Sequence, residues 1–216
     1  MILLNATDIS KSYTVNPLLS NLSYAINEGD KIGLIGVNGT GKSTLLRITA
    51  GAEEPDSGKI VLTGGVRIGY LMQAPDYDPE QTVLEAAVSY LRPEVLAEGD
   101  YLCKSMLNQL GITDFTRKMG TLSGGERKRV AMAGIFTNPC DILILDEPTN
   151  HIDSDTVEWL ENYLKKFRGA IFMVTHDRYF LDRVTNVILE LTGGKLYRHE
   201  GNYEVYLENK AAREEM

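Results

Sequence analysis

A glycine-rich segment at residues 36–44, GVNGTGKST, has the residue types and spacing of a loop that binds phosphate groups. In the pattern Gly-x-x-x-x-Gly-Lys-Ser, glycines let successive backbone N–H groups surround phosphate oxygens, and the following helix adds the positive end of its dipole. Lys42 would reach the β- and γ-phosphates, and the Ser43 hydroxyl would ligate Mg²⁺. A chance match in a glycine-rich turn is the alternative. The apolar run before the loop and the helical stretch after it favour a nucleoside triphosphate site.

Two adjacent carboxylates, Asp146 and Glu147, follow the apolar run ILIL that begins at residue 142. An uninterrupted apolar run is typical of a buried parallel strand, and ligands collect at the carboxyl ends of such strands. We therefore expect Asp146 to hold Mg²⁺ through its water shell. We expect Glu147 to orient or deprotonate the water that attacks the γ-phosphate. A solvated strand end before a proline turn is the alternative, and a chain with a phosphate loop disfavours it.

A third polar segment, TLSGGERKR at residues 121–129, begins a predicted helix. Ser123, Gly124 and Gly125 would form a second anion-binding nest at the N-terminus of that helix. An ordinary helix cap is the alternative. The basic run at residues 127–129 favours a solvated helix face over a contact with RNA.

Periodicity and turn residues predict the elements that carry these segments. We predict strands at residues 1–9, 21–27, 31–36, 59–62, 66–71, 141–146 and 170–175, and helices at residues 42–50, 81–91, 101–110 and 126–136. A further helix would be capped by Ser154, with Val157, Leu160, Leu164 and Phe167 on one face. The closing residues, ENKAAREEM, have the composition of the start of a charged helix. This order of elements predicts an α/β fold.

Composition limits the classes of protein to which the chain can belong. Its 216 residues are enough for one α/β unit, and Cys103 and Cys140 lack partners at metal-ligand spacing, which favours reduced structural thiols. The N-terminus lacks a basic segment, and the apolar runs are too short to cross a bilayer. We therefore expect a cytoplasmic protein with no membrane segment of its own. The net charge of −8 argues against nucleic-acid binding through the overall field.

Together these segments resemble the nucleotide-binding domain of the ATP-binding cassette (ABC) ATPases. LSGGE at residues 122–126 is similar to the family's signature, and Gln73 and His176 match its Q-loop glutamine and switch histidine. Tyr13, in KSYT, matches the aromatic residue that stacks on adenine. The resemblance implies a P-loop NTPase (RecA-like) core with an antiparallel β subdomain and an α-helical signature subdomain. It also implies ATP and Mg²⁺ as cofactors, and a catalytic site shared with a second cassette.

The resemblance assigns roles to residues of this sequence. The catalytic residues would be Lys42, Glu147 and His176. The metal would be held by Ser43, Gln73 and Asp146. ATP would be bound by Tyr13, Gly36, Val37, Asn38, Gly39, Thr40, Gly41, Lys42, Ser43 and Thr44. The partner's ATP would be bound by Leu122, Ser123, Gly124, Gly125 and Glu126.

Within the family, the chain is most similar to the ABC-F class, in the segments EPTNHID, THDRYFLD and GNYEVYLENK. That class consists of soluble ATPases with two cassettes on one polypeptide, which act on the ribosome at the tRNA exit site. The resemblance implies a ribosome or tRNA partner, and a second cassette on the same polypeptide or in a head-to-tail homodimer. We expect the chain to be the N-terminal half of a longer protein.

The resemblance also predicts how this single nucleotide-binding domain, residues 1–216, is divided. The ATP-binding core with its β subdomain would occupy residues 1–72 and 137–200. The helical subdomain would occupy residues 73–136, and an interdomain linker would start at residues 201–216.

One departure from the ABC-F pattern concerns the segment between Gln73 and Ser123. Many first cassettes of that class insert a helical arm there, and the short segment at residues 74–122 implies that the arm is short or missing. Two functions therefore stay open. The favoured one is an ATP-driven module of translation. The alternative is the ATPase subunit of a membrane transporter, which would offer an apolar groove beside Gln73 to a permease helix.

Overall fold

The computed structural model describes residues 1–214, which form two β-sheets surrounded by helices. The strands are β1 (Ile2–Ser12), β2 (Pro17–Asn27), β3 (Lys31–Ile35), β4 (Ser57–Leu62), β5 (Ile68–Leu71), β6 (Ile142–Asp146), β7 (Ala170–Val174), β8 (Val187–Thr192) and β9 (Lys195–Glu200). The helices are α1 (Lys42–Thr49), α2 (Val83–Ser89), α3 (Gly99–Gln109), α4 (Gly124–Thr137), α5 (Ser154–Lys166), α6 (Arg178–Val184) and α7 (Tyr203–Glu214). Short 3₁₀ turns span Pro93–Glu98 and Met119–Thr121.

The larger sheet has the strand order β5-β6-β7-β3-β8-β9. Its first five strands are parallel to one another, and β9 returns antiparallel to β8. Every residue of β6 and β7 is buried, because their continuous apolar runs face packed layers on both sides. The smaller sheet is antiparallel, in the order β2-β1-β4.

The larger sheet separates two hydrophobic cores. On one face, Ile142 and Ile144 of β6 pack with α1 and with the smaller sheet. On the other face, Leu143 and Leu145 pack with α2 to α6. Alternate residues of one strand thus enter different cores, as the pleat of a strand requires. The phosphate loop connects β3 to α1, and apolar side chains of both elements pack in the first core. The apolar side chains of α4 pack in the second core.

The fold agrees with the predicted P-loop α/β class, and most predicted elements are present. The predicted cap of α5 is wrong by one residue, because the Asp153 carboxylate accepts the Thr156 N–H at 2.8 Å and Ser154 is the first helical residue. Sequence reasoning missed α6, β8 and β9. The closing helix begins at Tyr203, earlier than predicted, and residues 215–216 lie outside the described part.

Within residues 1–214, the helices are too short or too polar for any of them to cross a bilayer.

Candidate functional site

The phosphate loop connects the end of β3 to the first turn of α1. Gly39 and Gly41 have φ angles of +83° and +98°, in the left-handed region where a residue with a Cβ is strained. Gly36 is required for another reason than the one we expected. Its φ is not left-handed, and a Cβ there would lie 2.5 Å from the Leu191 carbonyl oxygen of β8. The neighbouring strand therefore fixes where the loop begins.

Lys42 and Ser43, the first two residues of α1, direct polar groups into this loop. Lys42 Nζ donates to the carbonyl oxygens of Gly36 and Val37 at 2.8 and 3.1 Å. Burial lowers the pKa of Lys42, while the charges of Glu147 and Asp146 oppose that shift. Ser43 Oγ donates to Asp146 Oδ1 at 3.1 Å, so the first turn of α1 meets the end of β6.

Glu147 follows β6 and is 4% exposed. Its N–H donates to the Val174 carbonyl at 2.8 Å, and its φ of +49° places a non-glycine residue in the left-handed region. The carboxylate lies 3.2 Å from His176 Nε2 and also accepts the His176 backbone N–H at 3.2 Å. Burial raises the pKa of Glu147, and His176 lowers it in opposition. Two neighbouring strands thus hold this carboxylate.

One cleft is lined by much of the predicted site, including the loop residues Asn38 and Gly39, Lys42, Gln73, Glu147 and His176. The cleft lies at the carboxyl ends of the parallel strands, where ligands collect in such sheets. In the described chain, neither Tyr13 nor any residue from 122 to 126 lines this cleft. The structure therefore brings together one part of the predicted site and leaves the signature elsewhere.

Tyr13 lies between the smaller sheet and α1. Its side chain is 57% exposed, and Lys11 Nζ lies 5.6 Å from its ring centroid. Its hydroxyl contacts the Glu53 carboxylate and accepts from Arg47 Nη2 at 3.3 Å. Because Arg47 is on α1, the ring is tethered to the helix that follows the phosphate loop.

The signature segment forms the N-terminus of α4. Ser123 Oγ accepts the Glu126 N–H at 3.2 Å, and Glu126 Oε2 accepts the Ser123 N–H at 2.8 Å, which makes a capping box. Glu126 also pairs with Arg117 at 2.7 Å, so its carboxylate is engaged within the chain. Gly125 packs against the loop after β6, where a Cβ would lie 2.2 Å from the His151 carbonyl oxygen.

The expected solvated face at residues 127–129 is wrong. The Arg127 guanidinium stacks over the Tyr77 ring at 4.3 Å. Lys128 is 3% exposed, and its ammonium donates to the Glu147 carbonyl oxygen. Arg129 is half-buried and donates to the Leu110 carbonyl at 3.0 Å. These contacts come from tertiary packing of α4, which a short charge run does not reveal.

The donors at the cleft fit Mg²⁺ bound with a nucleotide. Ser43 and Gln73 line the cleft and offer a hydroxyl and an amide oxygen, and Asp146, which is buried behind Ser43, offers a carboxylate oxygen; these are hard ligands of the kind that Mg²⁺ prefers. Within residues 1–214, no cluster of three or more His, Cys, Asp or Glu side chains could hold a metal alone.

Comparison with known proteins identifies the family. The family model described as ABC transporter matches residues 19–150, which include the phosphate loop, the signature segment and Glu147. The chain belongs to this family of ATP-binding cassettes. The prediction of an ABC ATPase domain is thus confirmed, and members of this family hydrolyse ATP.

Curated relatives cover nearly the whole cassette. An uncharacterized ABC transporter ATP-binding protein of Bacillus subtilis, YfmR, is 44% identical over 99% of this chain and 40% of its own length. The energy-dependent translational throttle protein EttA of Escherichia coli K12 is 39% identical over 91% of this chain and 42% of its own length. The cassette therefore spans about 40% of the length of these relatives. The match to YfmR runs over 251 positions, more than the 216 residues of this chain, so YfmR carries residues within the matched region that this cassette lacks.

Solved structures share the fold of this cassette. An ATP-binding subunit of an ABC transporter superposes with a TM-score of 0.83 at 21% identity, covering 95% of this chain and 98% of the other. A dimeric cassette in a post-hydrolysis state, bound to ADP and Pi, superposes with a TM-score of 0.79 at 24% identity, covering 92% and 98%.

Proposed function

We propose that this cassette binds Mg·ATP and hydrolyses it in a site completed by the signature of a second cassette. The observation that carries the proposal is the division of the predicted site. Lys42, Gln73, Glu147 and His176 line one cleft, whereas Ser123 at the start of α4 lies outside it. A catalytic centre that needs the signature therefore needs a second copy or a second cassette of the same polypeptide.

The side chains of the predicted site have separate tasks in this proposal. Lys42 and the N–H groups of the loop bind the β- and γ-phosphates, because charge on the phosphoryl oxygens is the main quantity that the protein must stabilise. Ser43, Gln73 and Asp146 hold Mg²⁺, which when bound neutralises phosphate charge. Tyr13 stacks on the adenine, and its tether to α1 through Arg47 supports this role.

Glu147 is the residue that activates water in this proposal. Its carboxylate lies in the cleft within contact of His176, and burial raises its pKa above the ordinary value of a glutamate. His176 fixes the orientation of the carboxylate. Its ring is 63% exposed and lines the cleft on the side that would hold the γ-phosphate. The water loses its proton to Glu147 as it attacks the γ-phosphorus, and the bond to the β-γ bridging oxygen breaks.

We infer that the whole protein serves translation in the cytoplasm, as a member of the ABC-F class. Relatives named as translational throttle proteins support this role, and a cassette of about 40% of their length leaves room for a second one after a linker that starts near residue 201. The division of the cassette into an ATP-binding core with its β subdomain, at residues 1–72 and 137–200, and a helical subdomain, at residues 73–136, belongs to the same proposal. Ribosome and tRNA are the proposed partners.

The transporter alternative requires a groove for a permease helix beside the Q-loop. Here the cavity beside the residues that follow Gln73 has a volume of about 170 Å³. It is lined, among others, by Asp76, Gln81 and the stacked pair Tyr77 and Arg127. Polar and charged side chains thus share this lining with apolar ones, whereas the transporter alternative requires an apolar groove. This composition disfavours a permease partner.

ATPase activity measured across protein concentration tests the shared site. Activity per molecule should rise from nanomolar to micromolar protein as dimers form, and sedimentation velocity should show the dimer with Mg·ATP but not without nucleotide. Constant, substantial activity with only monomer present would contradict the proposal. For the translation role, the full-length polypeptide should pellet with ribosomes when ATP is present. Enrichment on membrane vesicles instead would favour the transporter alternative.

A further inference from the structure

The basic side chain of Lys128, buried in α4, contacts a residue of the ATP cleft. We propose that Lys128 is a positioning residue for Glu147, and that it couples the signature helix to the catalytic carboxylate of the same cassette. The inference rests on the proposed function, in which Glu147 activates water. It concerns a contact within one cassette, apart from the contacts that a second cassette would make.

The burial of Lys128 needs an explanation. Placing an ammonium group in the interior is unfavourable unless nearby acceptors and opposite charges compensate for the lost water. Lys128 is 3% exposed, and its Nζ donates to the backbone carbonyl oxygen of Glu147. The carboxylates of Glu147 and Asp146 supply the opposite charge nearby. The ammonium is thus directed at the turn that carries the catalytic residue.

The turn at Glu147 has a backbone that requires support. Its φ of +49° is unfavourable for a residue with a Cβ and persists only where surrounding contacts hold it. The N–H is fixed by the Val174 carbonyl at 2.8 Å. The carbonyl accepts the Asn150 N–H at 3.2 Å and also the Lys128 ammonium. Because the peptide groups on both sides of Glu147 are held, the direction of its Cα–Cβ bond is held too, so the Lys128 contact helps to aim the carboxylate at the cleft.

Two further contacts join α4 to the segment after β6. Gly125 packs so closely on His151 that a Cβ would lie 2.2 Å from the His151 carbonyl oxygen. Arg129 Nη1 lies 3.9 Å from Asp153 Oδ2. A shift of α4 must therefore move the segment at residues 147–153 or break the Lys128 contact. In either case the signature helix acts on Glu147 of its own cassette.

Steady-state ATPase kinetics of Lys128→Met test the inference, because methionine has similar length and no donor. We expect kcat to fall on the order of tenfold, with the KM for ATP changing less than about twofold. Lys128→Arg, which keeps a charged donor, should recover part of kcat. In the Glu147→Gln background, Lys128→Met should cause no further loss, because the carboxylate that it positions is already gone.

Lys31→Met is the matched control. Lys31 is also a partly buried lysine, and its ammonium donates to the carbonyl oxygens of Phe167 and Gly169 at the opposite end of the sheet. This variant should change the melting temperature and leave kcat unaltered. Lys128→Gln, whose shorter side chain does not reach the carbonyl, should repeat the methionine result and replaces it if Lys128→Met does not fold.

The outcomes separate the two proposals. An active wild type whose folded Lys128→Met variant keeps its kcat would overturn the role of Lys128 alone. An equal further loss in the Glu147→Gln background would overturn it too, because the effect would then not pass through Glu147. A wild type without ATPase activity, or a Glu147→Gln variant with full activity, would overturn the proposed function and with it the role of Lys128.

Discussion

Both carboxylate oxygens of Glu147 are held by one residue, His176: the ring Nε2 lies 3.2 Å from Oε1, and the backbone N–H donates to Oε2 at 3.2 Å. Glu147 follows β6 and His176 follows β7, so the pairing of these two strands sets the position of the carboxylate. A carboxylate fixed in this way needs little reorganisation when it meets its substrate, which is the property expected of a residue that orients water.

Glu147→Gln should lower the turnover of ATP by a factor on the order of 10² or more while Mg·ATP binding survives. The amide keeps the shape of the carboxylate and cannot accept the proton. Turnover at saturating ATP, with binding measured by nucleotide fluorescence, checks this. Glu158→Gln, at an exposed position on α5, is the matched control. Turnover near that of the wild type would show that Glu147 is not a catalytic residue.

His176→Ala should lower turnover by about tenfold, less than Glu147→Gln, since the backbone N–H contact to Glu147 remains when the ring is removed. The comparison is made in the same turnover assay. Tyr179→Ala removes a ring that is 80% exposed nearby on α6 and should have no effect. A loss of activity as large as that of Glu147→Gln would mean that the ring has a more direct catalytic role.

Lys42→Ala should weaken Mg·ATP binding at least about tenfold, because it removes a charge that meets the phosphates. The fold should persist, since the Lys42 ammonium contacts only loop carbonyls in the described chain. Titration with a fluorescent nucleotide and a melting curve measure both effects. Lys59→Ala, an exposed lysine on β4, serves as the charge-matched control. An unchanged dissociation constant would exclude Lys42 from the site.

Glu126→Gln should lower the unfolding free energy by about 1–2 kcal/mol at neutral pH. The hydrogen bonds from Arg117 and from the Ser123 N–H depress the pKa of Glu126 to about 2 in the folded chain. A carboxyl group whose pKa is depressed by folding stabilises the folded chain fully above pH 4.5, the ordinary pKa of the group. That stabilisation is lost as the pH falls towards about 2. The difference between wild type and variant, measured by urea unfolding, should therefore shrink across that interval. A difference independent of pH would indicate packing rather than charge.

Local signals in the sequence were enough to find the cleft. The spacing of Lys42 and Ser43 after Gly36 depends only on the loop, and Asp146 and Glu147 follow a buried strand that its apolar run identifies. The parallel sheet then brings these segments together at the carboxyl ends of its strands, with β7 between β3 and β6.

The features that the sequence did not reveal depend on tertiary contacts. Lys128 is in a run of three basic residues and has a local pattern typical of a solvated face, yet packing of α4 on residues 147–153 buries it. The requirement for glycine at Gly36 comes from the Leu191 carbonyl of a strand far along the chain. Asp153 and Ser154 are both good caps, and neighbouring geometry, which composition does not determine, selects Asp153.

Mixing two inactive variants tests the shared site most directly. Lys42→Ala disables the phosphate loop, and Ser123→Asp places a negative charge at the signature while keeping a good helix cap. In a mixed dimer both lesions fall on one site and leave the other intact. Equal amounts should therefore regain about a quarter of wild-type activity, because half of the dimers are mixed and each has one working site of two. A mixture as inactive as each variant alone, or a Ser123→Asp variant that is active alone, would contradict a site shared between two cassettes.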